Sequence, residues 1–217
     1  FGIDYRSPER YLGQGEQSRI SDPSVVDGLR DKPHGMAQLE AIWRWLIQDF
    51  TSYSAGGKTI GVVTVDQLLE ERRLGGCHDY ALLYAAVARE LGYPAVMNRA
   101  NSLAWVERFK AGQEGPHCGH VFVEVYFNGR WLLIDSTGGW YVGEGYDPAN
   151  PVIPLRRGDE APDDEMYGYY VERKGIDVWD FGIHSQAEST QAMDDFARQL
   201  DLSTVTYPDY EFQRFTE

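Results

Sequence analysis

Asn128-Gly129 is the most restrictive pair of residues in this chain. Before it, Val121, Val123, Val125 and Phe127 alternate with His120, Phe122, Glu124 and Tyr126; after it comes the apolar run Trp131 to Ile134. Strict alternation predicts a half-buried strand. Asn-Gly between two such runs predicts a two-residue hairpin, because both residues tolerate the positive φ this turn requires. Such a turn pairs Phe127 with Arg130 and puts Phe122 opposite Asp135. Side chains alternate across a sheet, so Asp135 shares a face with Phe122 and with His120 two residues along. His120 and Asp135 become diagonal neighbours, their Cβ atoms roughly 5–8 Å apart, within reach of an imidazole–carboxylate hydrogen bond. A three-residue loop would send Asp135 to the other face, so the pairing depends on the turn type.

Helical periodicity precedes the hairpin. Met36, Leu39, Trp43, Leu46 and Phe50, widened by Ile42 and Ile47, predict a core helix. Thr64 and Gln67 have capping-box spacing, predicting a short helix to about Arg73 that Gly75-Gly76 breaks. A longer helix begins near Cys77, carries Tyr80, Tyr84, Val87 and Leu91 on one face, and stops at Gly92 before Pro94. Pro94 to Arg99 reads as a strand and Asn101 to Gly119 as irregular chain. The first 35 residues read as an arm wrapping the domain. Beyond Gly138 the chain is rich in Gly, Pro, Tyr and acid, and one helix is expected, from about Gln186 to Leu200, opened by Ser185 and Glu188. One domain over 1–217 is expected, with a core at about 36–140, an arm at 1–35 and a C-terminal extension at 141–217.

Charge excludes several functions. The 217 residues hold 20 Lys and Arg against 34 Asp and Glu, a net −14, and no basic cluster that could neutralise a phosphate backbone. Nucleic acid and anionic membrane surfaces are therefore poor partners. No apolar run approaches the roughly 18 residues that membrane insertion needs. Gly57-Lys58-Thr59 resembles the end of a phosphate-binding loop, but Ser52 stands where that pattern requires glycine, so it reads as a turn. Gly13-Gln14-Gly15 lacks the third small residue of a dinucleotide fingerprint. With two cysteines, a disulfide framework is out of reach and the compartment stays open, an exported or envelope-associated protein included.

Cys77 follows two glycines and opens a helix, where unpaired N–H groups and the helix dipole favour a thiolate. As a plain buried thiol it would be inert. In chain order, a nucleophile at a helix start, a histidine on a strand and an aspartate on the neighbouring strand make a papain-like arrangement. His120 then serves as base and acid, and Asp135 orients its ring. Beside the Cys77 N–H no second oxyanion donor is identifiable; the Trp105 indole N–H could serve, but such a tryptophan more often packs. Cys77, His78, His117, Cys118 and His120 lack a chelating pair, so no metal is expected. A Cys77–Cys118 bridge would silence the nucleophile. The acids from Asp159 to Glu165 read as a solvated loop rather than a calcium site. Most of Trp140, Tyr141, Tyr146, Tyr167, Tyr169 and Tyr170 read as packing.

The segments Gly75 to Leu83, Ala88 to Ala95, Gly119 to Val125 and Trp131 to Thr137 resemble the transglutaminase-like superfamily, over about half of the chain. Ser136 stands where that family often has proline, and the aromatic usual after the histidine is absent. The resemblance implies an α+β papain-like fold, N-terminal helices on an antiparallel sheet, with Cys77 as nucleophile, His120 as base and Asp135 as orienting acid. It implies a cysteine acyl-transfer enzyme that attacks an amide of a protein or peptide and passes the acyl group to a Lys or other primary amine, without a cofactor. Water as acceptor would make it a peptidase or amidase; loss of function on the same fold would leave a binding module.

Overall fold

The computed structural model describes residues 1–155 and 168–216. After two 3-10 turns, Pro8–Tyr11 and Pro23–Val26, the arm ends in a single helical turn, α1 (Asp27–Arg30). Helix α2 (Met36–Asp49) follows, burying Leu39, Ile42, Trp43 and Leu46 as its periodicity predicts. Short strand β1 (Thr51–Ser52) pairs in parallel with β2 (Arg73–Leu74). Between them lies α3 (Val65–Glu71), opened by the full Thr64–Gln67 capping box. This helix ends two residues earlier than the sequence suggests. Arg72 turns left-handed at φ 52° and lays its guanidinium over Phe50 at 5.0 Å.

Helix α4 (Cys77–Glu90) is buried along nearly its whole length. It packs on a seven-stranded antiparallel sheet formed by β3 (Ala95–Ser102), β4 (Gly119–Phe127), β5 (Arg130–Asp135), β6 (Trp140–Val142), β7 (Val152–Pro154), β8 (Gly168–Gly175) and β9 (Phe212–Arg214). Their spatial order is β7-β8-β3-β4-β5-β6-β9. Asn128 and Gly129 have φ of 52° and 80°, and Phe127 pairs with Arg130, so the hairpin has the expected two-residue turn and register. Both sheet faces are covered. Val121, Val123 and Val125 join the core beneath α4. Phe122 packs into a second cluster with Leu133, Trp140, Tyr169 and Val171.

Two expectations need correction. The stretch after Asn101 is not irregular: α5 (Leu103–Lys110) occupies it, capped by the Ser102 hydroxyl and burying Leu103, Trp105 and Val106. Eight residues offer too few turns for a periodic signal. The C-terminal part holds α6 (Gln186–Gln199) as expected, but it also supplies four strands, and β8 lies inside the sheet beside β3. Alternation hides β8 because its buried charges are paired across the sheet: Glu172 with Arg99, and Lys174 with Glu124. The acids from Asp159 to Glu165, and Tyr167, lie outside the described residues. Among those described, no helix is long and apolar enough to cross a membrane.

Candidate active site

Two close contacts hold the elbow that presents Cys77. Gly76 adopts φ 153°, which suits glycine alone. A Cβ on Gly75 would fall 2.6 Å from the Ala55 Cβ and 3.0 Å from the Tyr53 ring, so no side chain fits there. The Gly75 carbonyl accepts from the Ala55 N–H at 2.9 Å, while its own N–H donates to the buried Asp79 carboxylate at 2.7 Å. Asp79 also meets His78 Nδ1 at 2.8 Å. Cys77 thus starts α4 on a pinned backbone, with its N–H among the orphan donors of the helix end.

The register delivers His120 to this point from the far side. Its Nε2 lies 2.9 Å from Asp135 Oδ2. That leaves Nδ1 for the sulfur, and His120 and the Val121 N–H both act on the Cys77 sulfur in favour of the thiolate. Asp135 is buried, and its Oδ1 accepts from the Thr137 and Gly138 N–H groups at 2.9 and 2.8 Å. Gly138 is required here: a Cβ would fall 2.8 Å from Trp140 Nε1 and 3.0 Å from the Asp135 carboxylate. Phe122 meets the His120 ring edge to face at 4.7 Å.

Electrostatics follow from this packing. Burial pushes the Cys77 thiol up, but the neighbouring His120 and the Val121 N–H outweigh it and hold the thiol below its usual range. Burial lowers His120, but Asp135 and Cys77 together raise it well above an ordinary imidazole. Burial raises Asp135, and His120 with the two backbone donors brings it below the usual carboxylate range. The arrangement favours a thiolate–imidazolium pair backed by an ionised carboxylate.

Other candidates land elsewhere. Trp105 is buried in a small cluster with Leu103, Val106 and Met193, and it does not line the cleft at Cys77. Packing, the more ordinary role for such a tryptophan, is where the structure places it, and its candidacy as an oxyanion donor is set aside. Both cysteines are free; Cys118 packs against that same small cluster, whereas Cys77 packs against the main core. The structure does not bring them together as a disulfide latch. His117 pairs with Asp194, His34 stacks on Tyr93, and His184 lies against Trp179. Trp140 and Tyr169 pack in the second cluster, and Tyr141 stacks on Phe215.

A cleft of about 470 Å³ opens on Cys77 and His120. The loop at Gly56 and Gly57 forms one wall, Gln186 and Met193 of α6 another, and Arg99 and Asn101 of β3 the floor. Sequence reasoning missed these contributions. Asp79 alone left a trace, as an acid in the first turn of a helix.

The sequence model of the transglutaminase-like superfamily matches residues 23–136. No curated protein matches the sequence significantly. Among solved structures, a "putative cysteine protease" from Cytophaga hutchinsonii is similar at a TM-score of 0.52 and 18% identity, covering 82% of this chain and 50% of that one. The periplasmic domain of TgpA from Pseudomonas aeruginosa, bound to ethylmercury, aligns at a TM-score of 0.46 and 24% identity, covering 63% of this chain and 50% of that one. The chain thus spans about half the length of these structures.

Proposed function

The chain belongs to the transglutaminase-like superfamily, and on that premise we propose that it is a cysteine acyl-transfer enzyme acting on amides of proteins or peptides. The observation that carries this reading is Cys77 at the start of α4, electrostatically coupled to His120, whose Nε2 lies 2.9 Å from Asp135 Oδ2.

The Cys77 thiolate attacks the amide carbonyl carbon, and the negative charge that develops on oxygen meets the Cys77 N–H at the helix terminus. His120 carries the proton released by the thiol and gives it to the departing nitrogen, so ammonia or an amine leaves and a thioester remains on Cys77. Asp135, held by Thr137 and Gly138, keeps the ring oriented and supports its positive charge through both half-reactions. His120 then deprotonates the acceptor, which attacks the thioester and frees Cys77. A Lys side chain as acceptor yields an isopeptide bond, and water yields hydrolysis.

One assay tests this. The protein is incubated with a glutamine-containing polypeptide and a labelled primary amine, following amine incorporation, ammonia and peptide release together. Incorporation that disappears in Cys77→Ala supports transfer; cleavage or ammonia release without incorporation, also lost in Cys77→Ala, supports hydrolysis. Turnover that survives Cys77→Ala overturns the proposal.

A further inference from the structure

Asp135 is oriented by a turn that has little stiffness of its own. The N–H groups of Thr137 and Gly138 hold the Asp135 carboxylate, and that of Gly139 donates to the Asp135 carbonyl at 2.9 Å. Thr137 and Gly138 are exposed, and two successive glycines leave the backbone there its widest conformational freedom. Side chains cannot supply the missing stiffness, since Gly139 sits at φ 68° and a Cβ on it would run into the Trp43 ring. Nor does packing brace the outer side. A cavity of about 310 Å³ lies there, bounded by His120, Asp135, Thr137, Gly138 and Arg214.

The carbonyl side of the turn is fastened by the C-terminal segment. The Phe215 N–H donates to the Gly139 carbonyl at 2.9 Å, and Arg214 Nη1 to the Gly138 carbonyl at 3.3 Å. Both contacts continue the pairing of β6 with β9, in which Arg214 stands opposite Trp140. The N–H groups of the turn therefore go to Asp135, and two of its carbonyls to the last strand. That strand is itself held at few points. Among residues 201–216 only Tyr210 and Phe215 are buried. Phe215 stacks on Tyr141 at 5.1 Å and lies 5.7 Å from the ring of Trp43. Just beyond it, Arg44 Nε of α2 donates to the Thr216 carbonyl at 2.9 Å, and the Thr216 hydroxyl donates to Glu40 at 2.9 Å.

We propose that β9 and Phe215 form a clamp on the Asp135 turn, with Phe215 as a positioning residue that acts on His120 through Asp135. Seated, the strand fixes the carbonyls of the turn and with them the N–H groups that aim the carboxylate. Loosened, it lets the carboxylate turn away from the ring and withdraws support from the imidazolium. The inference rests on His120 and Asp135 being base and orienting acid, and adds a distant residue on which their geometry depends.

The pH dependence of Cys77 alkylation by iodoacetamide tests it on the full-length chain without a substrate, with peptide mapping to count Cys118 apart. In Phe215→Ala the thiolate is expected to appear at higher pH, by roughly half a unit or more, because a less supported imidazolium stabilises it less. Turnover is expected to lose about 10–100-fold in kcat with KM within about twofold, and its alkaline limb to move to lower pH. Lower stability alone moves neither limb while the protein is folded. Phe215→Leu keeps an apolar anchor and is expected to restore most of the shift. A folded Phe215→Ala whose alkylation profile superposes on the native one overturns the proposal, as does a Phe215→Leu profile displaced just as far as that of Phe215→Ala. Should Phe215→Ala not fold, Arg44→Ala decides: the side chain is partly exposed, and its loss frees Thr216 without opening the core. Its profile is expected to move in the same direction, and an unmoved one overturns the clamp. Failure of the catalytic reading shows separately, as turnover retained in Cys77→Ala.

Discussion

His120 couples to both of its partners, and that coupling sets the pH behaviour. In the proposed mechanism the active pair is thiolate and imidazolium, so rate is expected to be lost in acid as Cys77 protonates, below the usual thiol range, and in alkali as His120 deprotonates, above the usual imidazole range. A bell-shaped kcat/KM profile is expected, wider on both sides than free side chains would give. Asp135→Asn removes the main support of the imidazolium. It is expected to move the alkaline limb to lower pH and to reduce kcat by about 10⁴-fold, as loss of an orienting acid does in a related triad. An unmoved alkaline limb would show that Asp135 does not support His120. Stability follows the same shifts. Because the folded pKa of His120 lies above its ordinary 6.5, its contribution is fully present below that value and is lost as pH rises through the folded one. Asp135 contributes above its ordinary 3.8, and that contribution is lost as pH falls through its lowered folded value. At this scale the sequence was readable: Asn128-Gly129 is a local turn signal, and counting back from it put His120 beside Asp135. Asn101, Arg99 and Glu172 were not readable, since nothing local distinguishes a polar strand residue beneath a cleft from one facing solvent.

Strand β8 shows why an element can escape a periodicity argument. Lys174 is buried against Glu124 at 2.5 Å, with Tyr5 and the Pro148 carbonyl completing its donors at 2.7 and 2.8 Å. Two charges thus occupy positions where alternation looks for apolar residues, and they are admissible only because other strands supply their partners. Breaking such a pair leaves one uncompensated buried charge. Lys174→Met is expected to destabilise the fold by about 3–5 kcal/mol, and Lys174→Met combined with Glu124→Leu by markedly less, as measured by urea denaturation. If the double variant is no more stable than the single one, the pair is not the source of the loss. Helix α3 offers a smaller and more local test. Thr64→Ala removes the cap and is expected to cost about 1 kcal/mol in the same measurement.

Across the whole molecule, the charge of −14 is expected to steer basic substrates toward the proposed enzyme. For a Lys-rich acceptor, KM is expected to rise with ionic strength, and for a neutral amine to stay nearly constant; equal salt dependence would show that long-range steering is absent. The C-terminal part is integral to the sheet and to the cleft wall, since β8 pairs with β3 and α6 faces Cys77. By itself the sequence determined the helices that begin at Met36 and Cys77, the hairpin with its register, and through these the candidate nucleophile, base and orienting acid. All of these depend on periodicity, caps and a turn type, which act over a few neighbouring residues. The insertion of β8 beside β3, the placing of Trp105 and Cys118 away from the nucleophile, and the cleft that opens on Cys77 over Arg99 and Asn101 were decided by tertiary structure alone. Each depends on contacts between residues tens of positions apart, where burial and pairing are set by the partner strand or helix and leave no mark on the local pattern.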